Sequence, residues 1–102
     1  MFLARVVGSV VSPVQHSFLE GRTLLSIRPV DLDGVPDGRP DGVAVDRAQA
    51  GPGDLVLVLK EGSSARDLFE EEQAPVRTVI VGVVDEVEVE GRIRARNRED
   101  AG

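Results

Sequence analysis

Apolar and polar side chains alternate with a period of two through most of the chain, which predicts a protein built from short β-strands. One further segment is instead a continuous aliphatic run between turn signals, a pattern typical of a strand covered on both faces. The strand segments are residues 2–11, 23–30, 43–46, 55–59, 76–84, 86–90 and 92–96. We therefore expect six or seven short strands.

Glycine and proline steps separate these segments. Residues 31–42, here named the Asp-Gly loop, contain three Asp-Gly steps, at 33–34, 37–38 and 41–42. Each step is a turn signal, because Asp tolerates left-handed backbone and Gly adopts it without strain. A helix is excluded there. Gly51-Pro52-Gly53-Asp54 predicts a tight turn that leads into the aliphatic run.

The sequence offers one place for a helix. Ser64 and Asp67 have the spacing of a capping box, and Pro75 ends any helix by about Glu72. No βαβ repeat accompanies it, so the predicted fold is all-β, a small OB-like β-barrel with one short helix. It forms a single domain over residues 1–96, followed by a polar C-terminal tail over residues 97–102.

The last two strand segments are predicted to form a hairpin. A loop centred on Gly91 opposes aliphatic to aliphatic and Glu to Arg, whereas a two-residue turn at Glu90-Gly91 opposes charged to aliphatic side chains. Opposite-charge pairs contribute roughly 0.2–1 kcal/mol each, so side-chain matching favours the first register. Its pairs are Val89–Ile93, Glu88–Arg94, Val87–Ala95 and Glu86–Arg96.

Composition narrows the class of protein. The 102 residues carry 41% hydrophobic side chains and a formal net charge of -6, as expected of one globular domain with a single core. The absence of cysteine excludes disulfides and thiolate chemistry and favours a reducing cytoplasm. No apolar run approaches the roughly 20 residues that span a bilayer, so we expect neither export nor membrane insertion.

Nucleic acid is an unfavourable partner for this chain. Its acidity repels phosphate backbones, and three Phe with no Trp or Tyr provide few stacking platforms. The cluster Arg92, Arg94, Arg96 and Arg98 nevertheless leaves an alternative, an OB-type binding module for nucleic acid or an anionic ligand.

Candidate catalytic and metal-binding residues are few. His16 is the only histidine and lies in a polar stretch, where a solvated loop role is favoured over a metal-ligand or acid–base role. Ser63 and Ser64 lack a Gly-x-Ser-x-Gly setting, and Gly51-Pro52-Gly53 lacks the Gly-Lys-Ser/Thr ending of a phosphate loop. The run 70–72 of three glutamates is consecutive and would splay around a cation. We predict no catalytic residue, cofactor or metal.

Four segments resemble a known family when they are taken together. They are Ala4-Arg5-Val6-Val7-Gly8-Ser9-Val10-Val11, the stretch from Val45-Asp46-Arg47 to Asp54-Leu55-Val56-Leu57-Val58, Gly62-Ser63-Ser64-Ala65-Arg66, and Val81-Gly82-Val83-Val84-Asp85-Glu86-Val87. Their order and spacing over residues 2 to about 96 resemble the bacterial microcompartment vertex proteins, the pentameric shell proteins of carboxysomes and of ethanolamine-utilisation organelles. The family's usual Gly-Ala-Gly reads Gln49-Ala50-Gly51 here.

The resemblance implies an OB-like barrel that assembles into a homopentamer and acts as a structural protein, not an enzyme. It implies that Ser63, Ser64, Ala65 and Arg66 line a pore near the fivefold axis. Hexameric microcompartment shell proteins would surround the pentamer, with no nucleic-acid or membrane partner, in the bacterial cytoplasm. Six-sided tiles cannot close a polyhedron without five-sided ones, so such a protein functions by shape.

Overall fold

A computed structural model describes residues 1–11, 23–60 and 78–97. All regular secondary structure in these residues is β-strand. The strands lie close to the boundaries that the alternation predicts. They are β1 Phe2–Val10, β2 Thr23–Val30, β3 Gly42–Asp46, β4 Leu55–Lys60, β5 Thr78–Val83, β6 Glu86–Val89 and β7 Arg92–Arg96. The predicted helix over residues 64–72 lies outside the described residues.

Strands β1 to β5 close into a barrel in the order β1-β2-β3-β5-β4. Neighbouring strands are antiparallel except β3 and β5, which run parallel. Closure pairs every strand of the barrel on both sides and leaves no barrel edge open. The prediction of an all-β, OB-like barrel is therefore confirmed.

The barrel interior is filled by small and branched aliphatic side chains, contributed by alternate positions of each strand. Burial of a Val, Leu or Ile side chain stabilises a fold by roughly 1.5–3 kcal/mol, so these residues dominate the stability of the barrel. The buried set is Ala4, Val6, Leu25, Ile27, Ala44, Val56, Val58 and Ile80, with Phe2, Ala48 and Ala50 packed against it.

A β-bulge shifts the alternation of β1. Val6 pairs with Ile27 and Gly8 with Ser26, so Val7 is the extra residue and Gly8 lies on the opposite face from Val6. The period of two predicted for residues 2–11 is therefore interrupted at Val7. A Cβ at Gly8 would lie 3.1 Å from Ser26 Oγ, which explains a glycine at the bend.

The register of the β6–β7 hairpin differs from the prediction at its tip. Glu90 and Gly91, with φ of 51° and 82°, form a two-residue turn whose twist suits the flanking strands. Arg94 is then the extra residue of a bulge that restores the predicted register nearer the barrel. The observed pairs are Glu86–Arg96 and Val87–Ala95, as predicted, and Glu88–Ile93 and Val89–Arg92, which the prediction rejected.

Turn geometry decides the register at the tip, and burial decides it at the base. Ala95 is buried with Val30 and Leu55 in a second apolar cluster, against which Leu3, Val84 and Val87 pack. Strand β4 is thus covered on both faces at Leu55, as its aliphatic run predicts, whereas Leu57 and Leu59 on the outer face are partly exposed. The hairpin is held against the outside of the barrel.

Asn97 ties the chain after β7 to the start of β4. Its Oδ1 accepts a hydrogen bond from Leu55 N at 2.6 Å, and its backbone N donates to Asp85 O at 2.8 Å. Its Nδ2 lies 3.4 Å from Asp54 Oδ1. Asn97 therefore links the hairpin to the barrel.

Candidate functional site

The residues that the resemblance assigns to a pore, Ser63, Ser64, Ala65 and Arg66, lie outside the described residues. The structure describes the two strand ends from which this segment departs and to which it returns. Lys60 at the end of β4 pairs with Thr78 at the start of β5. The two residues that flank the segment 61–77 therefore lie side by side at one end of the barrel. His16, residues 70–72 and Arg98 also lie outside the described residues.

The Gly51-Pro52-Gly53-Asp54 segment is a closed turn, as predicted. Asp54 N donates to Gly51 O at 3.0 Å, and Gly51 N donates to Asp54 Oδ2 at 2.8 Å. Gly53, with φ of 94°, donates its N–H to Val6 O at 2.8 Å. Because these amides bind within the protein, the turn is structural and does not form a phosphate loop.

Gln49, two residues before this turn, adopts an unusual backbone conformation. The carboxylate of Asp46 accepts hydrogen bonds from Ala48 N at 2.9 Å and Ala50 N at 3.0 Å. Gln49 lies between those two amides with φ of 59°, in the left-handed region that favours glycine. The position is the one at which the resemblance leads us to expect glycine.

The Asp-Gly loop begins with a turn centred on Asp31. Its Oδ1 accepts hydrogen bonds from Asp33 N at 2.8 Å and Val35 N at 3.0 Å. Its backbone O accepts the N–H of Gly34 at 2.9 Å, and its N donates to Val35 O at 2.8 Å. The loop is thus built as consecutive turns, as its composition predicts.

Three arginine–aspartate pairs involve this loop, of which two join it to strands β2 and β7 and one lies within it. Each guanidinium donates two hydrogen bonds through Nε and Nη2, and all six side chains are partly or well exposed. The nitrogen–oxygen distances are 2.9 and 2.9 Å for Arg28–Asp41, 2.9 and 2.6 Å for Arg39–Asp37, and 2.5 and 2.9 Å for Arg94–Asp33.

The pairs shift the ionisation of the aspartates. Hydrogen bonds from the arginine partners lower the pKa of Asp33, Asp37 and Asp41. Because the pKa is lower in the folded state, the ionised aspartate stabilises the protein at pH values above about 3.9, the ordinary aspartate pKa. That contribution is lost as the pH falls through the lowered pKa, so the loop is held most firmly at neutral pH.

Arg94 connects the Asp-Gly loop to the hairpin, because its partner is Asp33 and not the predicted Glu88. The bulge turns Arg94 out of the cross-strand pairs and brings its guanidinium to the loop. One of the four arginines of the Arg92–Arg98 cluster is therefore engaged within the protein, which weakens the nucleic-acid interpretation of that cluster.

Charge reversal tests this partner assignment. We expect Arg94→Glu to destabilise the fold and Asp33→Arg in the same chain to recover most of the loss, because the pair is re-formed with its charges exchanged. Glu88→Arg is the matched control and should recover little. Urea unfolding of the double-mutant cycles gives the coupling energies, and stronger coupling of Arg94 to Glu88 than to Asp33 would contradict the assignment.

An open apolar groove of about 410 Å³ lies where β1 meets the Asp-Gly loop. Phe2 and Leu57 contribute to its wall, and Leu32 is half exposed at its margin. The guanidinium of Arg39 lies 4.8 Å from the centre of the Phe2 ring, within cation–π range. Arg39 thus contacts Asp37 on one side and Phe2 on the other.

Within residues 1–11, 23–60 and 78–97, no three His, Cys, Asp or Glu side chains are placed to hold a metal ion. The same residues contain no helix that is long and apolar enough to cross a membrane.

Sequence reasoning missed the contact between the Asp-Gly loop and the hairpin. The sequence did contain an indication of such contacts, because one loop holds three Asp-Gly steps and the neighbouring strands carry arginines. Nothing in the spacing relates Asp33 to Arg94, because the two residues are 61 positions apart.

Comparison with known proteins gives one consistent result. Residues 1–85 match the family model described as ethanolamine utilisation protein EutN/carboxysome. The chain is 41% identical to the bacterial microcompartment shell vertex protein EutN of Salmonella typhimurium over 93 residues, covering 91% of this chain and 92% of that protein.

Solved structures agree over nearly the whole fold. CcmL of Gloeobacter violaceus superposes with a TM-score of 0.77 at 33% identity, covering 98% of this chain and 100% of that one. The pentameric microcompartment shell protein GrpN of Rhodospirillum rubrum superposes with a TM-score of 0.72 at 37% identity, covering 87% of this chain and 99% of that one.

Proposed function

Because the chain belongs to the family of ethanolamine utilisation protein EutN and carboxysome proteins, we propose that it is a structural, non-enzymatic shell vertex protein. It forms homopentamers that cap the vertices of a bacterial microcompartment in the cytoplasm. The observation that carries the proposal is similarity along the whole barrel to proteins named shell vertex proteins, one of which is named pentameric.

The surface of the barrel supports assembly. Strands β3 and β5 expose aliphatic side chains outward, with Val43 40%, Val81 42% and Val83 39% accessible in the isolated chain. Burial of such surface between subunits supplies stability that a barrel of this size gains only modestly from its own core. A head-to-tail interface gives a finite ring when its rotation closes, and a five-membered ring is the tile that closes a shell of hexamers.

The proposal predicts a homopentamer in solution. Native mass spectrometry at micromolar concentration should give a species of about five times the 10.9 kDa chain mass. Light scattering at several concentrations provides an independent mass. A sample that contains only monomer or dimer would overturn the pentamer.

We further propose that Ser63, Ser64, Ala65 and Arg66 line the pore at the fivefold axis. The support is the resemblance together with the pairing of Lys60 with Thr78, which places the two residues that flank the segment 61–77 side by side at one end of the barrel. Small side chains at the first three positions suit a narrow opening shared by five subunits.

Replacing Ala65 with Trp tests the pore assignment. Five indoles in one constriction should disrupt or weaken the ring, whereas Ala65→Ser, the matched small substitution, should leave the pentamer intact. Native mass and fluorescence quenching are the measurements. An intact Ala65→Trp pentamer with freely quenched indoles would reject the pore assignment and leave the vertex proposal standing.

The proposed partners are hexameric microcompartment shell proteins around the rim of the pentamer, with neither nucleic acid nor a membrane. The alternative of an OB-type binding module is disfavoured by the engagement of Arg94 with Asp33. Tight binding of a labelled single strand that weakens steeply with salt would favour that alternative.

A further inference from the structure

All three Asp-Gly steps of the chain lie in the Asp-Gly loop, and an arginine holds the aspartate of each one. An Asp-Gly step is chemically reactive. The glycine nitrogen attacks Cγ of the protonated aspartate and a C–N bond forms, while the bond from Cγ to the carboxyl hydroxyl breaks. The hydroxyl leaves as water with the amide proton, which gives a succinimide. Addition of water to either carbonyl then yields aspartate or isoaspartate. Glycine favours the reaction because no side chain shields its nitrogen.

This chemistry has two structural requirements. The carboxyl group must be protonated so that water can leave, and the side chain must rotate until Cγ meets the following nitrogen. A guanidinium that binds the carboxylate opposes both, because it stabilises the ionised form and fixes the side chain. The pKa of Asp37 is lowered by its hydrogen bonds with Arg39.

We propose that the Asp-Gly loop is a site of spontaneous aspartate isomerisation, that Asp37-Gly38 is its most reactive step, and that Arg28, Arg39 and Arg94 restrain the reaction. The inference rests on the loop geometry and not on the proposed assembly, so either can fail without the other.

The steps at Asp33 and Asp41 are the better protected. Their arginines come from strands β7 and β2, which fix the guanidinium from outside the loop. The nitrogen of Gly34 also donates a hydrogen bond to Asp31 O, so it is engaged where it would have to attack.

Asp37 is held by a partner within the loop itself. Arg39 lies two residues further along the chain and keeps its position partly through the Phe2 ring. In the part of the chain that the structure describes, Gly38 N donates no hydrogen bond, and a Cβ at Gly38 would meet nothing within 4 Å. The backbone N of Arg39 also donates to Asp37 Oδ1, at 3.1 Å. Loss of the Arg39 side chain would therefore leave the carboxylate held by that single backbone hydrogen bond, beside an open amide.

The modification would alter the groove described above. Isoaspartate inserts a methylene into the backbone, and Asp37 N donates to Pro29 O at 3.3 Å, next to the end of β2. Both Asp37 and Arg39 line the groove, so a longer backbone there changes a surface of the barrel.

The test is incubation of the full chain at physiological temperature and mildly acidic pH, with isoaspartate counted by enzymatic methylation and located by peptide fragmentation. Isoaspartate should form first at residue 37. Arg39→Gln should raise its rate about two- to fivefold, the range expected for loss of an exposed ion pair. Arg47→Gln, an exposed residue outside the loop, removes the same charge and should leave the rate unchanged.

A second variant checks the origin of the signal. Asp37→Glu in the Arg39→Gln chain should abolish it, because glutamate would have to form a less favourable six-membered ring. An unchanged rate in Arg39→Gln, or earlier isomerisation at residue 33 or 41, overturns the proposal.

Salt provides a test in the unmodified protein if Arg39→Gln fails to fold. Raised ionic strength screens an exposed pair and should accelerate isomerisation at Asp37. A rate independent of salt would overturn the restraint by Arg39.

Discussion

Replacing Asn97 with Ala is expected to lower the free energy of unfolding by about 1–3 kcal/mol, the cost of leaving a buried donor unsatisfied. The Asn97 Oδ1 accepts the N–H of Leu55 at 2.6 Å, and Leu55 is fully buried. The substitution also removes the amide group that faces Asp54. The hairpin would then lose its polar link to the start of β4.

Arg96→Ala is the matched control, since Arg96 is the exposed neighbour of Asn97. A surface change of this kind should stay within about 0.5 kcal/mol. Urea unfolding at one fixed protein concentration gives both values, because subunit association would otherwise contribute to the apparent stability. A loss for Asn97→Ala no larger than that for Arg96→Ala would show that Leu55 N finds another acceptor.

Asn97 illustrates what the sequence pattern does not contain. The strand segments could be predicted because burial of one face imposes a period of two over several residues. A single asparagine after the last strand carries no period, and its contact with Leu55 joins residues 42 positions apart. The sequence therefore shows a polar residue at position 97 but does not show which backbone group it binds.

The bulges were missed for a related reason. An extra residue such as Val7 or Arg94 shifts the phase of all positions beyond it, and alternation alone does not show where the shift occurs. At the hairpin, charge matching opposed Glu88 to Arg94. The backbone twist of the turn at Glu90-Gly91 outweighed that match, and Arg94 found Asp33 instead.

The candidate pore residues were predicted on different grounds. Period and composition indicated a small barrel without visible catalytic chemistry, and only the resemblance singled out Ser63, Ser64, Ala65 and Arg66. A function that depends on shape leaves no catalytic constellation in the sequence. The comparisons support the class of protein, and the pore assignment depends on the Ala65→Trp experiment.

Gly34→Ala is expected to destabilise the protein by about 2–3 kcal/mol, more than the same change at Gly38. Both glycines have positive φ, 79° and 93°, so alanine is strained at each by about 1–2 kcal/mol. At Gly34 the added Cβ would also lie 3.3 Å from the Cβ of Ala95 and 3.6 Å from Nη2 of Arg5. Overpacking there adds roughly 1 kcal/mol or more.

Gly38→Ala is the control that isolates backbone strain, because its Cβ would meet nothing within 4 Å. The difference between the two variants reports the contact of the loop with the hairpin. Ala95 is buried against Val30 and Leu55 and has little room to move, so Gly34→Ala should push the hairpin away from the barrel. Amide hydrogen exchange should then speed up across β6 and β7 in Gly34→Ala and stay unchanged in Gly38→Ala. Equal losses of stability with unchanged exchange would mean that Ala95 yields without cost and that the hairpin does not depend on this contact.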